Sequence, residues 1–90
     1  MKVVVNKCFG GFSLSEEAYK FLGLEWDGYG YKYNDRRTDE KLVECVETLG
    51  DRASGRYADL RIVEVPDGEM WEIDYYDGIE TVIKPKHIWG

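Results

Sequence analysis

Residues that do chemistry on their own are scarce in this 90-residue chain, which holds two cysteines, two prolines and a single histidine. Cys8, Cys45 and His87 do not make a zinc ligand set of normal spacing, so neither a metal nor a cofactor is expected. Met1-Lys2-Val3-Val4-Val5 lacks the long apolar core and the small-residue cleavage site of a secretion signal. Free thiols in a reducing cytoplasm are therefore the expectation. No apolar run approaches the ~20 residues of a membrane span, so no membrane partner is expected. A basic footprint is also missing, which argues against direct nucleic-acid binding. The net charge is −6, and between Glu64 and Glu80 seven carboxylates stand without one base. Such a run is either a solvated face or a surface for a basic protein partner.

What the chain does hold is aromatic residues (14%) and enough apolar residues (43%) to fold one domain over 1–90. Its organising stretch is Asn6-Lys7-Cys8-Phe9-Gly10-Gly11-Phe12-Ser13. The β-branched run Val3-Val4-Val5 before it predicts a strand buried on both faces, central in a sheet. After it, Ser13 as cap, with Glu16 completing a capping box, predicts a helix over Leu14–Leu22 ended by Gly23. Leu14, Ala18, Phe21 and Leu22 then share its buried face. A strand-to-helix turn of this kind can aim backbone N–H groups at an anion. The candidate ligand site is Asn6, Lys7, Cys8, Gly10, Gly11, Phe12 and Ser13. It matches neither the P-loop nor the dinucleotide fingerprint. The plainer reading is a tight turn that lets helix pack on strand.

Farther along, Asp27-Gly28 marks a turn, and Tyr29, Tyr31 and Tyr33 alternate across Gly30. The segment reads as an irregular loop or a short edge strand. Trp26 and the tyrosines either lid the core or form an aromatic platform for a partner. Thr38 is placed to cap a second helix whose apolar face is Leu42, Cys45, Val46 and Leu49, with Gly50 at its end. Cys45 on that face is expected to be buried and inert. A loop around Ser54-Gly55 leads to a strand over Leu60–Val65 and a turn at Pro66-Asp67-Gly68. From Glu69 to Tyr76 the pattern alternates, with Trp71, Ile73 and Tyr75 on one face and Glu72, Asp74 and Tyr76 on the other. Asp77-Gly78 is a hairpin turn into Ile79–Ile83. The expected fold is a two-layer α+β domain with a mostly antiparallel sheet. That sheet is the first strand plus a C-terminal three-stranded meander, covered on one face by two helices. Its other face, with Glu72, Asp74 and Glu80, is expected to be wet, and an open edge could pair with a second copy.

The opening Lys2-Val3-Val4-Val5-Asn6-Lys7-Cys8-Phe9-Gly10-Gly11-Phe12-Ser13-Leu14-Ser15 resembles a family of small phage and prophage proteins of Gram-positive bacteria. Those begin K-V-V-I-N-K-C-Y-G-G-F-x-L-S; here Phe9 stands in place of the tyrosine. The similarity continues at Leu42-Val43 to Leu49-Gly50, at Val63–Asp67, and at Trp71-Glu72-Ile73 with Tyr76–Glu80. The resemblance implies a phage-type accessory protein and transfers no catalytic residues. Small phage proteins of this class often neutralise a host factor, including defence proteins.

Three functions follow. The leading expectation is a non-enzymatic cytoplasmic inhibitor that docks on a basic host protein through Trp26, Tyr29, Tyr31, Tyr33, Glu72 and Asp74. The alternative is a sponge-like binder of a phosphorylated, nucleotide-type small molecule at the Gly-rich turn. The third is a thiol enzyme with Cys8 as nucleophile, His87 as base and the Gly10 and Gly11 amides as oxyanion hole. No third group orients such a pair, so a non-enzyme is expected.

Overall fold

The computed structural model describes residues 1–83. Lys2–Asn6 forms strand β1, and its three valines and Asn6 are fully buried. Leu60–Glu64 forms β2, antiparallel to β1 with Val4 opposite Ile62 and Val3 opposite Val63. Alternation sends the side chains of this two-stranded ribbon to opposite sides. On one side, Val4, Leu60 and Ile62 meet helix α1 (Glu16–Leu22) and helix α2 (Glu40–Leu49). Leu14, Ala18, Tyr19, Leu42, Cys45 and Val46 complete that core. On the other side, Val3, Val5, Val63 and Val65 pack against Trp71, Ile73 and Val82. Those last residues belong to a hairpin of β3 (Glu72–Tyr76) and β4 (Ile79–Ile83), and to the chain leading into it.

The α+β class with antiparallel pairing holds, but the three-stranded meander does not form. β2 and β3 do not pair, and the described residues make two separate two-stranded sheets. The hairpin folds back over the outer face of the β1–β2 ribbon instead of extending its edge, because Val3, Val5 and Val63 make that face apolar. The outer face of the ribbon is therefore covered, while the hairpin face with Glu72 and Asp74 is exposed as expected.

Among the described residues, β1 also has a strand on only one edge. Its second edge is closed by the loop after the tyrosines and by β4. Val4 N–H donates to the Arg37 carbonyl at 2.8 Å, and the Val4 carbonyl accepts from the Arg37 guanidinium at 3.3 Å. Asn6 N–H donates to Glu80 Oε1 at 2.7 Å. Arg37 and Glu80 are themselves paired through both carboxylate oxygens, with Nη2 to Oε2 at 2.7 Å. This ion pair is almost wholly buried, and it satisfies edge groups that would otherwise be desolvated without partners.

Glu80 was expected beside Glu72 and Asp74 on a wet face. The turn at Asp77-Gly78, with φ of 53° and 86°, pairs Tyr76 with Ile79 and hence Tyr75 with Glu80. That register puts Glu80 on the inner face with Ile73 and Val82, opposite Glu72 and Asp74.

Both helices start later than their caps suggested. Leu14 forms an extended bridge with Ser54, so the chain is not helical there. Ser15, not Ser13, caps α1, its hydroxyl accepting from Ala18 N–H at 3.0 Å. The frame shifts with it: Tyr19 is fully buried, whereas Phe21 is 39% exposed. Asp39, not Thr38, caps α2 by accepting from the Lys41 and Leu42 amides. Cys45 is buried on α2 as expected, and burial pushes its thiol up to about 11. A 3-10 turn over Gly50–Ala53 follows α2 directly. Among the described residues no helix is long and apolar enough to cross a membrane.

Candidate functional site

The residues proposed as one ligand site at the Gly-rich turn do not act together. Asn6 is fully buried and its amide group is used internally. Its Nδ2 donates to the Cys8 and Gly78 carbonyls, both at 2.7 Å, and its Oδ1 accepts from Asp59 N–H at 2.8 Å. It ties the turn to the hairpin and to the start of β2. Lys7 Nζ donates to the Glu80 carbonyl at 2.6 Å, and Gly11 N–H donates to the Cys8 carbonyl at 3.3 Å. Phe12 is a core ring, with the Arg37 guanidinium 4.0 Å from its centroid. The N-terminus of the seven-residue α1 is capped by Ser15, whose hydroxyl accepts from Ala18 N–H. Cys8 is a half-buried free thiol, and its suggested base, His87, lies outside the described residues.

Gly10 and Ser13 do something different. They stand in the lining of a cleft of about 450 Å³ with Trp26, Tyr29, Tyr31, Arg56 and Tyr57. Three loops meet there at backbone distance. Leu14 N–H donates to the Gly30 carbonyl at 2.8 Å, and Gly55 N–H donates to the Ser13 carbonyl at 2.9 Å. The 13–15 segment is thereby held between the 28–31 and 53–55 loops like a short central strand. The contacts leave no room for side chains at three glycines, Gly10, Gly30 and Gly55, the last lying against Ser13. A Cβ on Gly10 would lie 2.2 Å from the Tyr57 Cβ and carbonyl oxygen, and one on Gly30 would lie 2.2 Å from the Leu14 carbonyl oxygen. The sequence thus needs glycine at these points for close packing of the floor.

The wall of the cleft is aromatic. Tyr29 and Tyr31 stack on each other with centroids 6.1 Å apart at 17°, and both are exposed. Trp26 is 41% exposed and meets buried Tyr19 edge-on at 5.1 Å. Tyr57 is 65% exposed, with the Arg56 guanidinium 5.5 Å from its centroid. Tyr33, grouped with these residues by its spacing, is instead a buried core ring. The segment is a loop, not an edge strand, because Asp27 folds it back. Asp27 Oδ1 accepts from Tyr29 N–H at 2.8 Å and from Gly30 N–H at 2.9 Å. Those two amides, Gly30 first, hold the carboxyl of Asp27 below its ordinary value of 3.8.

Sequence reasoning missed Arg56, Tyr57 and the Asp27–Tyr19 pair. Arg56-Tyr57 beside Ser54-Gly55 is a cation and a ring in a turn-forming loop, which is a usable signal. Glu72 and Asp74 lie exposed on the outer face of the hairpin and do not line the aromatic cleft. A second cleft of about 440 Å³ lies between Met1, Lys2 and the outer face of α2. Among the described residues its lining has no ring, and Lys2 there is paired with Glu47 at 2.6 Å. The aromatic cleft is the better candidate, combining apolar faces with a few polar groups at small-ligand volume. No protein-family model matches this chain, and no curated protein and no solved structure matches it either.

Proposed function

We propose that this protein is a non-catalytic binder that sequesters a planar, phosphorylated small molecule of nucleotide type in the aromatic cleft. One observation carries the reading: Gly10 and Ser13 of the turn, the rings of Trp26, Tyr29, Tyr31 and Tyr57, and the Arg56 guanidinium share a single cleft. Base–aromatic stacking is worth about 1–3 kcal/mol per base. The exposed rings supply such faces, Arg56 supplies the cation for a phosphate, and Ser13 supplies a hydroxyl. Among the described residues the lining holds one carboxylate, Glu16, and neither histidine nor cysteine, which favours holding a ligand over transforming it. The test is native mass spectrometry of the protein purified gently from a host lysate, followed by titration of the emptied protein with ADP. A retained small mass and ADP binding weakened about tenfold by Arg56→Ala support the sponge.

A second reading rests on the hairpin. Its outer face exposes Glu72, Asp74 and Tyr76, a patch suited to a basic host protein. The resemblance of the opening motif to phage accessory proteins suits either reading and a cytoplasmic site of action. Charge reversal at Glu72 and Asp74 that abolishes function, with Arg56→Ala silent, decides for the host-protein inhibitor.

A further inference from the structure

The wall that carries Trp26, Tyr29 and Tyr31 has no helix or strand of its own, yet it is held at both ends and in the middle. One residue behind the cleft makes most of the ties. α1 buries the ring of Tyr19 completely. The edge of that ring meets Trp26 at 5.1 Å and 79°. Its hydroxyl donates to Asp27 Oδ2 at 2.9 Å and accepts from Lys32 N–H at 3.1 Å. Its backbone carbonyl accepts from Leu24 N–H at 2.9 Å, fixing the point where the loop leaves α1. Asp27, so held, organises the Tyr29 and Gly30 amides through its other oxygen.

We infer that Tyr19 is a positioning residue for the cleft: its buried hydroxyl and ring fix the aromatic wall in a binding-competent form before any ligand arrives. The inference rests on the cleft being the ligand site. Tyr19 does not line the cleft, so its effect on affinity runs through Asp27, Trp26 and Lys32. Pre-organisation of this kind raises affinity by removing an ordering cost at binding. If loss of the hydroxyl leaves the wall competent about one tenth of the time, apparent affinity falls about tenfold.

The experiment compares wild type, Tyr19→Phe, Asp27→Ala and the double variant by amide exchange without ligand and by ADP titration. Tyr19→Phe keeps the buried ring. The expected result is exchange faster by about tenfold at the Tyr29, Gly30 and Lys32 amides with α2 unchanged, as for a local opening. ADP affinity falls by a similar factor. The double variant is no worse than Asp27→Ala alone, because both changes cut one chain of contacts. Unchanged loop exchange in Tyr19→Phe overturns the inference, as does faster exchange with wild-type affinity. Wild-type protein that ignores ADP overturns the ligand reading alone, and the exchange arm then decides whether Tyr19 holds the wall.

Discussion

Asp27 carries an unusual share of the geometry for a residue at the surface. One oxygen collects two loop amides and the other a buried phenol. Its carboxyl is held below the ordinary 3.8, chiefly by the Gly30 and Tyr29 amides. A depressed folded-state pKa adds order that is present above the unfolded value and lost as pH falls through the folded one. Acidification from pH 5 toward pH 2 is therefore expected to release the Trp26–Tyr31 wall, while at neutral pH further change leaves it intact. Near-ultraviolet circular dichroism of wild type against Asp27→Asn checks this: the acid-dependent aromatic signal should be largely absent from the variant. A wild-type signal that stays flat to pH 2 counts against the assignment. At this scale the sequence was half legible. Asp27-Gly28 announced a turn, and the turn is there. Its reach to Tyr19 depends on how α1 is rotated, and the local pattern points to Ser13 as cap where the structure uses Ser15. Ser13, with Glu16 three residues on, has the better local chemistry, and the tertiary bridge from Leu14 to Ser54 overrides it.

Among the elements, β1 shows why apolar patterning alone overstates a sheet. Three valines in a row do signal burial on both faces, and the strand is so buried. They say nothing about what lies beside it. Here a bidentate ion pair takes the place of a neighbouring strand, with Arg37 supplying both a donor and an acceptor to Val4. Glu80→Gln leaves the Arg37 charge buried without its counter-charge, a change worth about 3–5 kcal/mol of destabilisation. Denaturant titration should show a midpoint far below wild type. Replacing both residues with apolar ones should recover part of the loss, since no lone charge then remains. By contrast, Lys2→Ala at the exposed pair with Glu47 should leave the midpoint unmoved. A small effect of Glu80→Gln would mean that water reaches the pair. The place of Glu80 was readable in principle: a two-residue turn at Asp77-Gly78 dictates that Glu80 faces Tyr75. The folding of the hairpin over the ribbon was not readable, because the chain between Glu64 and Glu72 carries no signal for it.

For the whole molecule, the cleft and the core meet at Leu14. Its side chain is fully buried in the helix-side core, and its backbone is the floor between two loops. The stretch from Asn6 to Ser13 is legible in the sequence as central, but the three-loop junction is not, since its contacts join positions more than fifteen residues apart. That junction makes a discriminating prediction from two glycines with nearly equal backbone angles. Gly28 has φ of 85° and Gly30 has φ of 87°. An added Cβ at Gly28 meets nothing within 4 Å, whereas at Gly30 it falls 2.2 Å from the Leu14 carbonyl. Gly28→Ala should cost only the left-handed backbone strain, about 1–2 kcal/mol. Gly30→Ala adds a clash with backbone that no rotamer relieves, so it should cost at least about 1 kcal/mol more. For a domain of this size that extra loss lowers Tm by a further ~4–8 °C. The difference should also appear in ligand affinity, because only the Gly30 clash forces the aromatic wall away from the floor. Thermal melts of the two variants, with ADP titrations alongside, make the comparison. Equal melting temperatures would show that the wall yields independently of Leu14, and that core and cleft are not one mechanical unit.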